Sequence, residues 1–132
     1  MQKIYVGCSL THATEEFKKQ INDLKNLLRD KYQIMEFLGT ETGDARDVFK
    51  HDISQLKTCD LLLAECSHPS TGLGFEIATA LDRHKPVLAV ARNDAKVSRM
   101  ILGINSTLFS FLKYQTLDEV VDGVEKKLAG II

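Results

Sequence analysis

Cys59–Leu81, CDLLLAECSHPSTGLGFEIATAL, is the stretch that decides the fold. Its first part, Asp60 to Ala64, is a short unbroken apolar run, as expected of a strand covered on both faces. His68-Pro69-Ser70-Thr71-Gly72 ends that run with turn chemistry. From Leu73 the apolar period becomes helical, and Leu73, Ile77, Ala80 and Leu81 share one face. Glu76 falls on that same side. The segment therefore predicts a buried strand, a loop of small residues and a helix carrying an inward acid near its start. The positive end of the helix dipole is expected to keep that acid charged.

Working outward, the pattern repeats. Lys3–Cys8 reads as a first strand, and Ser9 to Thr14 as a polar loop in which Thr11 or Thr14 caps the next helix. That helix is expected over 15–29, with Phe17, Ile21, Leu24 and Leu28 buried. A second strand is expected over 33–37. A loop over 38–44 follows, made acidic by Glu41 and Asp44. A second helix is expected over 46–58, its apolar face built from Val48, Phe49, Ile53 and Leu56. Asp52 lies inside this stripe and His51 points away from it. An acid on a buried helix face is costly unless compensated. The plain alternative is a surface helix whose Asp52 reaches water at an edge. Beyond the central segment, a strand is expected over 86–91, a loop over 92–96, a short helix over 97–102, a strand over 107–112 and a closing helix over 117–128.

With 132 residues, 44% of them hydrophobic and 27% charged, the chain has the make-up of one ordinary globular domain. A net charge of −1 argues against nucleic acid or an anionic membrane as partner. No apolar segment is long enough to span a bilayer, and no signal-peptide pattern precedes the first strand. Three cysteines without paired spacing suggest reduced thiols and a cytoplasmic location. A zinc site from Cys8, Cys66, His12 and His68 lacks the usual ligand spacing, so buried free thiols are expected.

Strands alternating with helices mean parallel pairing through right-handed crossovers. Five such strands predict an α/β, flavodoxin-like, doubly wound sheet of order 2-1-3-4-5, in three layers. Ligands then bind outside the carboxyl ends of the strands where the winding reverses, between strands one and three. That crevice would be lined by residues 9–14, by 67–76 and by the loop after strand four. A receiver domain is excluded because Cys8-Ser9 stands where its acids belong. No Walker loop, dinucleotide fingerprint or hydrolase elbow follows a strand.

The remaining chemistry rests on Asp52 and Glu76. Both face inward on successive helices. Two carboxyl groups in differently screened settings are equipment for cleaving a glycosidic bond. Glu76 is expected to stay ionised and attack the anomeric carbon. Asp52, set among apolar neighbours, is expected to hold a proton for the leaving group. Two surface acids paired with Arg or Lys would be the alternative. Tyr5 is either a core aromatic or part of the site. Arg92 either contacts a ligand or pairs with Asp94, and Glu65 stands where it could orient loop amides.

KIYVGCSL, HDISQLKTCDLLLAECSHPSTGLGFEIATAL, KPVLAV and SRMILG together resemble the nucleoside 2-deoxyribosyltransferase family, in particular its 2'-deoxynucleoside 5'-phosphate N-hydrolase branch. The most specific part is an Asp-x7-Asp spacing from Asp52 to Asp60, followed by Ala64-Glu65 and the PSxGxGxE pattern ending at Glu76. The resemblance implies that Glu76 is a nucleophile forming a glycosyl-enzyme, that Asp52 assists the leaving base and that Tyr5 lies beside them. It implies a 5'-phosphate held by the loop of Ser9, Leu10 and Thr11, by Ser70, and by Ser98 and Met100 from a neighbouring subunit, with the Gly72 backbone close to the ligand. Thr11 stands where that branch carries an arginine. No metal or organic cofactor is implied. A homodimer or higher homo-oligomer is. The expected substrate is a nucleoside or nucleoside monophosphate. Base exchange between deoxynucleosides and non-catalytic nucleotide sensing are the rival functions.

Overall fold

The computed structural model describes residues 1–11, 13–36 and 43–132. His12, Phe37, Glu41 and most of the acidic loop lie outside the described residues. In chain order the elements are β1 (Lys3–Cys8), α1 (Glu15–Arg29), β2 (Gln33–Met35), α2 (Ala45–Thr58), β3 (Leu61–Glu65), α3 (Thr71–Asp82), β4 (Val87–Arg92), α4 (Arg99–Leu102), β5 (Phe109–Tyr114) and α5 (Leu117–Leu128). The sheet is five-stranded with order β2-β1-β3-β4-β5. Every pairing is parallel. β3 sits in the middle, with Cys8 opposite Glu65 and Glu65 opposite Val90 at the carboxyl ends.

Strand periodicity divides the core into two halves. Tyr5, Leu62, Ala64, Val87, Ala89 and Ala91 point to one face, where they meet Leu56 of α2 and Leu73, Ile77 and Ala80 of α3. Ile4, Val6, Leu61, Leu63, Leu88 and Val90 point to the other, against Leu24 and Leu28 of α1 and Val120 and Val124 of α5. Helix starts follow their caps. Thr14, Asp44 and Ser70 each accept a hydrogen bond from the backbone N–H three residues on, and Thr116 forms a capping box with Glu119.

Several boundaries and one face depart from the sequence reading. Asp60 precedes β3 instead of opening it, because its carboxylate accepts the backbone N–H of Lys3 at 2.7 Å. β5 begins at Phe109 rather than Thr107: a turn held by Ser106, whose Oγ accepts from Leu108 N at 3.2 Å, delays it. α4 starts at Arg99, after its cap Ser98. Phe49, expected on the buried face of α2, is 57% exposed. It leans on Phe75 of α3, itself 53% exposed, with ring centroids 5.9 Å apart. The stripe of α2 is buried only near its C-terminal end, at Leu56.

Candidate active site

The three residues expected to carry the chemistry share one layer. Tyr5 projects from β1 towards α2 and α3, and it feels the charges of both Glu76 and Asp52. Glu76 in turn feels Asp52. Asp52 is placed by the C-terminal half of α2, with 18% of its side chain exposed. Its Oδ1 lies 3.0 Å from His51 Nδ1, so His51, although outside the apolar stripe, bends back onto the acid.

Glu76 does not behave as expected. Burial pushes its carboxyl above the ordinary value, and the charge of Asp52 pushes the same way; the Tyr5 hydroxyl opposes both. The helix dipole cannot hold the group down, because Glu76 is the sixth residue of α3 and the dipole acts within the first turn. The Tyr5 phenol is pushed far up, by burial first and then by Glu76, and so keeps its proton. Yet Tyr5 OH and Glu76 Oε2 are both buried, and neither makes a well-formed hydrogen bond among the described residues. The phenol faces the carboxylate but stops short of bonding it. Buried polar atoms left this way cost about 1–3 kcal/mol each and mark a place where polar partners are wanted.

Gly7 was not recognised in the sequence, although a glycine inside a strand is a signal of close approach. A Cβ there would lie 2.8 Å from Leu73 Cδ1 and 3.6 Å from Glu76 Oε1. Its hydrogen lets α3 sit directly on β1, and that contact sets how far Glu76 stands from Tyr5.

On the other side of Leu73 lies a cavity of about 540 Å³. Leu73, Ile77, Val97 and Ile101 give it apolar walls, while Ser70, Ser98, Lys96 and Arg99 make its polar part. Met100 stands at its rim, 84% exposed. Ser70, Ser98 and Met100 of one chain thus share one hollow. Each serine already caps a helix, Ser70 Oγ accepting from Leu73 N at 3.1 Å and Ser98 Oγ from Met100 N at 3.2 Å. Each hydroxyl still has its own hydrogen to donate. Tyr5, Asp52 and Glu76 do not line this cavity; nor do Ser9, Leu10 and Thr11, at the end of β1. Ser9 is buried at 4% exposure, Leu10 is half-buried and Thr11 is exposed. Gly72 is exposed, and a Cβ there would meet Ser70 Oγ at 4.0 Å, so nothing among the described residues requires its lack of a side chain.

The opposite face of the crevice holds a polar network that sequence reading only touched. Glu65 is fully buried and accepts from Ser67 N at 2.6 Å, from Ser67 Oγ at 2.9 Å and from the Tyr114 hydroxyl. Ser67 Oγ also accepts from Arg92 N at 2.9 Å. The ends of β3, β4 and β5 are thereby tied to the loop that leads into α3. Glu65 does orient a loop amide. Arg92 lies over the Phe17 ring, 5.4 Å from its centroid, and its guanidinium reaches Gln20. His68 packs edge-on against Phe17 with centroids 4.6 Å apart.

All three cysteines are free, and burial pushes Cys8 and Cys66 up to about 12 and Cys59 up to about 11. They stay protonated and unreactive at neutral pH. Among the described residues no three His, Cys, Asp or Glu side chains are grouped to hold a metal ion. Nor is any described helix long and apolar enough to cross a membrane.

Comparison with known proteins agrees with this architecture. A protein from Thermofilum pendens (strain DSM 2475 / Hrk 5), named "Putative 2'-deoxynucleoside 5'-phosphate N-hydrolase 1", is 40% identical over 139 residues, covering 98% of this chain and 97% of its own. Among solved structures, the CMP N-glycosidase of Clostridium botulinum superposes with a TM-score of 0.67 at 22% identity, over 94% of this chain and 99% of that one. The 2-deoxyribosyltransferase of Bacillus psychrosaccharolyticus also gives 0.67, at 19% identity over 89% of each chain. At those identities the two structures speak to the fold. The family model for nucleoside 2-deoxyribosyltransferase matches residues 4–126, so the chain belongs to that family of enzymes.

Proposed function

We propose that this chain, as a single domain, hydrolyses the N-glycosidic bond of (2'-deoxy)nucleoside 5'-monophosphates, releasing free base and (deoxy)ribose 5-phosphate. The observation that carries the reading is the meeting of Tyr5, Asp52 and Glu76 in one layer, with Glu76 Oε2 and Tyr5 OH buried and unbonded. Glu76 attacks C1' and forms a glycosyl-enzyme. The C1'–N bond breaks with its electron pair passing to the base nitrogen, which takes a proton from Asp52. Tyr5 steadies the charged form of Glu76 before attack. Water then cleaves the ester, releasing a proton to solvent. Because burial holds Glu76 above the usual carboxylate range, the rate rises with pH as that group ionises.

The name of the Thermofilum relative supports a 5'-monophosphate as substrate. The phosphate would be met by hydroxyls of Ser9, Ser70 and Ser98 and by backbone amides at Gly72 and the start of α3. A homodimer is part of the proposal. The exposed pair Phe49 and Phe75, and Met100 and Leu102 at 84% and 49% exposure, are large apolar side chains that a second copy would cover. Transfer of the deoxyribosyl group to a second base is the competing reading, favoured by the uncharged, exposed Thr11 at the mouth of the crevice.

Incubation with dCMP and dGMP, and separately with a deoxynucleoside plus a second base, separates these readings. Release of base from monophosphates alone, abolished in Glu76→Ala, is the expected result. Base exchange without phosphate would favour transfer. Nucleotide binding with no turnover, indifferent to Glu76→Ala, would leave only a sensing role.

A further inference from the structure

We propose that His51 acts through Asp52, positioning its carboxyl group and resupplying the proton that Asp52 gives to the leaving base. This rests on the hydrolase reading above. Neighbouring residues on a helix normally diverge by a large angle and do not face each other. Here His51 Nδ1 nevertheless lies 3.0 Å from Asp52 Oδ1. One turn on, Gln55 Nε2 lies 3.4 Å from His51 Nε2, so the ring is held from both sides. When protonated, the ring aims its Nδ1–H at Asp52.

Exposure separates the two partners. The His51 side chain is 36% exposed and that of Asp52 is 18% exposed. One end of the pair is wet and the other looks inward, towards Tyr5 of β1 and Glu76 of α3, the ionisable groups that feel Asp52 across the layer. Cys59, just past α2, acts on Tyr5 from the same side. On α2 itself Asp47 lies one turn before His51 and is exposed. A histidine is the side chain that exchanges protons with water near neutral pH.

The step balances as follows. The C1'–N bond breaks and its electron pair goes to the base nitrogen. That nitrogen takes the proton from Asp52, while Asp52 Oδ1 takes the Nδ1 proton of the His51 imidazolium. The ring, now neutral, regains from solvent a proton that matches the one released when water cleaves the ester. No redox partner is involved. His51 touches neither sugar nor base; it sets which Asp52 oxygen faces the substrate and how fast Asp52 is recharged.

The test is the pH profile of base release from a nucleoside monophosphate by wild type, His51→Gln and His51→Ala. Gln keeps a donor for Asp52 but cannot carry a titrating proton. The expected result for His51→Gln is a kcat lower by roughly 10- to 100-fold, part of the usual worth of general acid catalysis. KM should stay within about twofold, and the alkaline limb of the wild-type profile should disappear. Free imidazole should restore turnover to His51→Ala in a pH-dependent manner. Thermal unfolding of the variants checks that they fold, as expected at a part-exposed position. Wild-type kcat and alkaline limb in His51→Gln would overturn the inference while leaving the hydrolase reading intact. So would a loss in His51→Ala that tracks stability and is untouched by imidazole. A wild type releasing no base from any monophosphate would remove the hydrolase reading, and this inference with it.

Discussion

Gly7→Ala adds one methyl group at the point where β1 faces α3. That carbon would lie 2.8 Å from Leu73 Cδ1. Carbon atoms rest at about 3.5–4.0 Å, so Leu73, only 4% exposed, must retreat by roughly 0.7 Å or leave its rotamer. Overpacking of this kind costs about 1–3 kcal/mol. Removing a glycine from a strand returns about 0.5–1 kcal/mol, leaving a net loss of about 1–2 kcal/mol. The catalytic effect should be larger than the stability effect. Where Leu73 yields by moving α3 outward, Glu76 moves with it, away from Tyr5. A misplacement near 1 Å at a reacting group can cost about 100-fold, so at least a tenfold loss in base release is expected. Urea unfolding and base-release rates measure the two effects separately. Gly123→Ala is the control. Its Cβ would lie 2.6 Å from Leu112 Cδ2, in the other half of the core. It should overpack too, partly offset by about 1 kcal/mol of helix propensity, and keep wild-type turnover. A Gly7→Ala protein that is destabilised but fully active would refute the claim that this contact positions Glu76.

Other consequences can be measured directly. Glu76 binds its proton more tightly in the folded chain than at the ordinary value of 4.5, so stability falls as pH rises from there through the folded-state value. Glu76→Gln should therefore melt higher than wild type at pH 7, lose that advantage in acid below the ordinary value, and release no base. A Glu76→Gln protein that melts no higher at pH 7 would contradict the burial of a charge there. Ser70→Ala removes the cap of α3 and should cost about 1 kcal/mol in urea unfolding. It should also raise KM for a monophosphate more than for the matching nucleoside; equal KM changes would take Ser70 out of phosphate binding. Phe75→Glu should convert a dimer to a monomer in analytical ultracentrifugation, and an unchanged sedimentation coefficient would place the interface elsewhere.

The order of elements, the parallel sheet and its division into two faces were legible in the chain. Alternation in strands and the helical period are local patterns, and KIYVGC, LLLAE and VLAVAR show them without help from distant residues. The shared side of Asp52 and Glu76 followed in the same way, from two helical wheels and one topology. Other features needed tertiary structure. Tyr114 was unremarkable until its hydroxyl was found on Glu65, 49 residues away, which also explains why β5 runs on to that residue. Phe49 fits the apolar stripe of α2, yet among the described residues it packs on Phe75 and stays 57% exposed. Position along a helix shows the dipole that was expected to favour a charged Glu76, but not the burial that raises its carboxyl, because burial depends on what packs above it. The cavity beside Ser70 is walled by residues of α3 and by residues 96–101, which meet only in the folded chain. Periodicity assigns each residue a face, but the environment on that face comes from segments far away in the sequence, and their distances are set by packing.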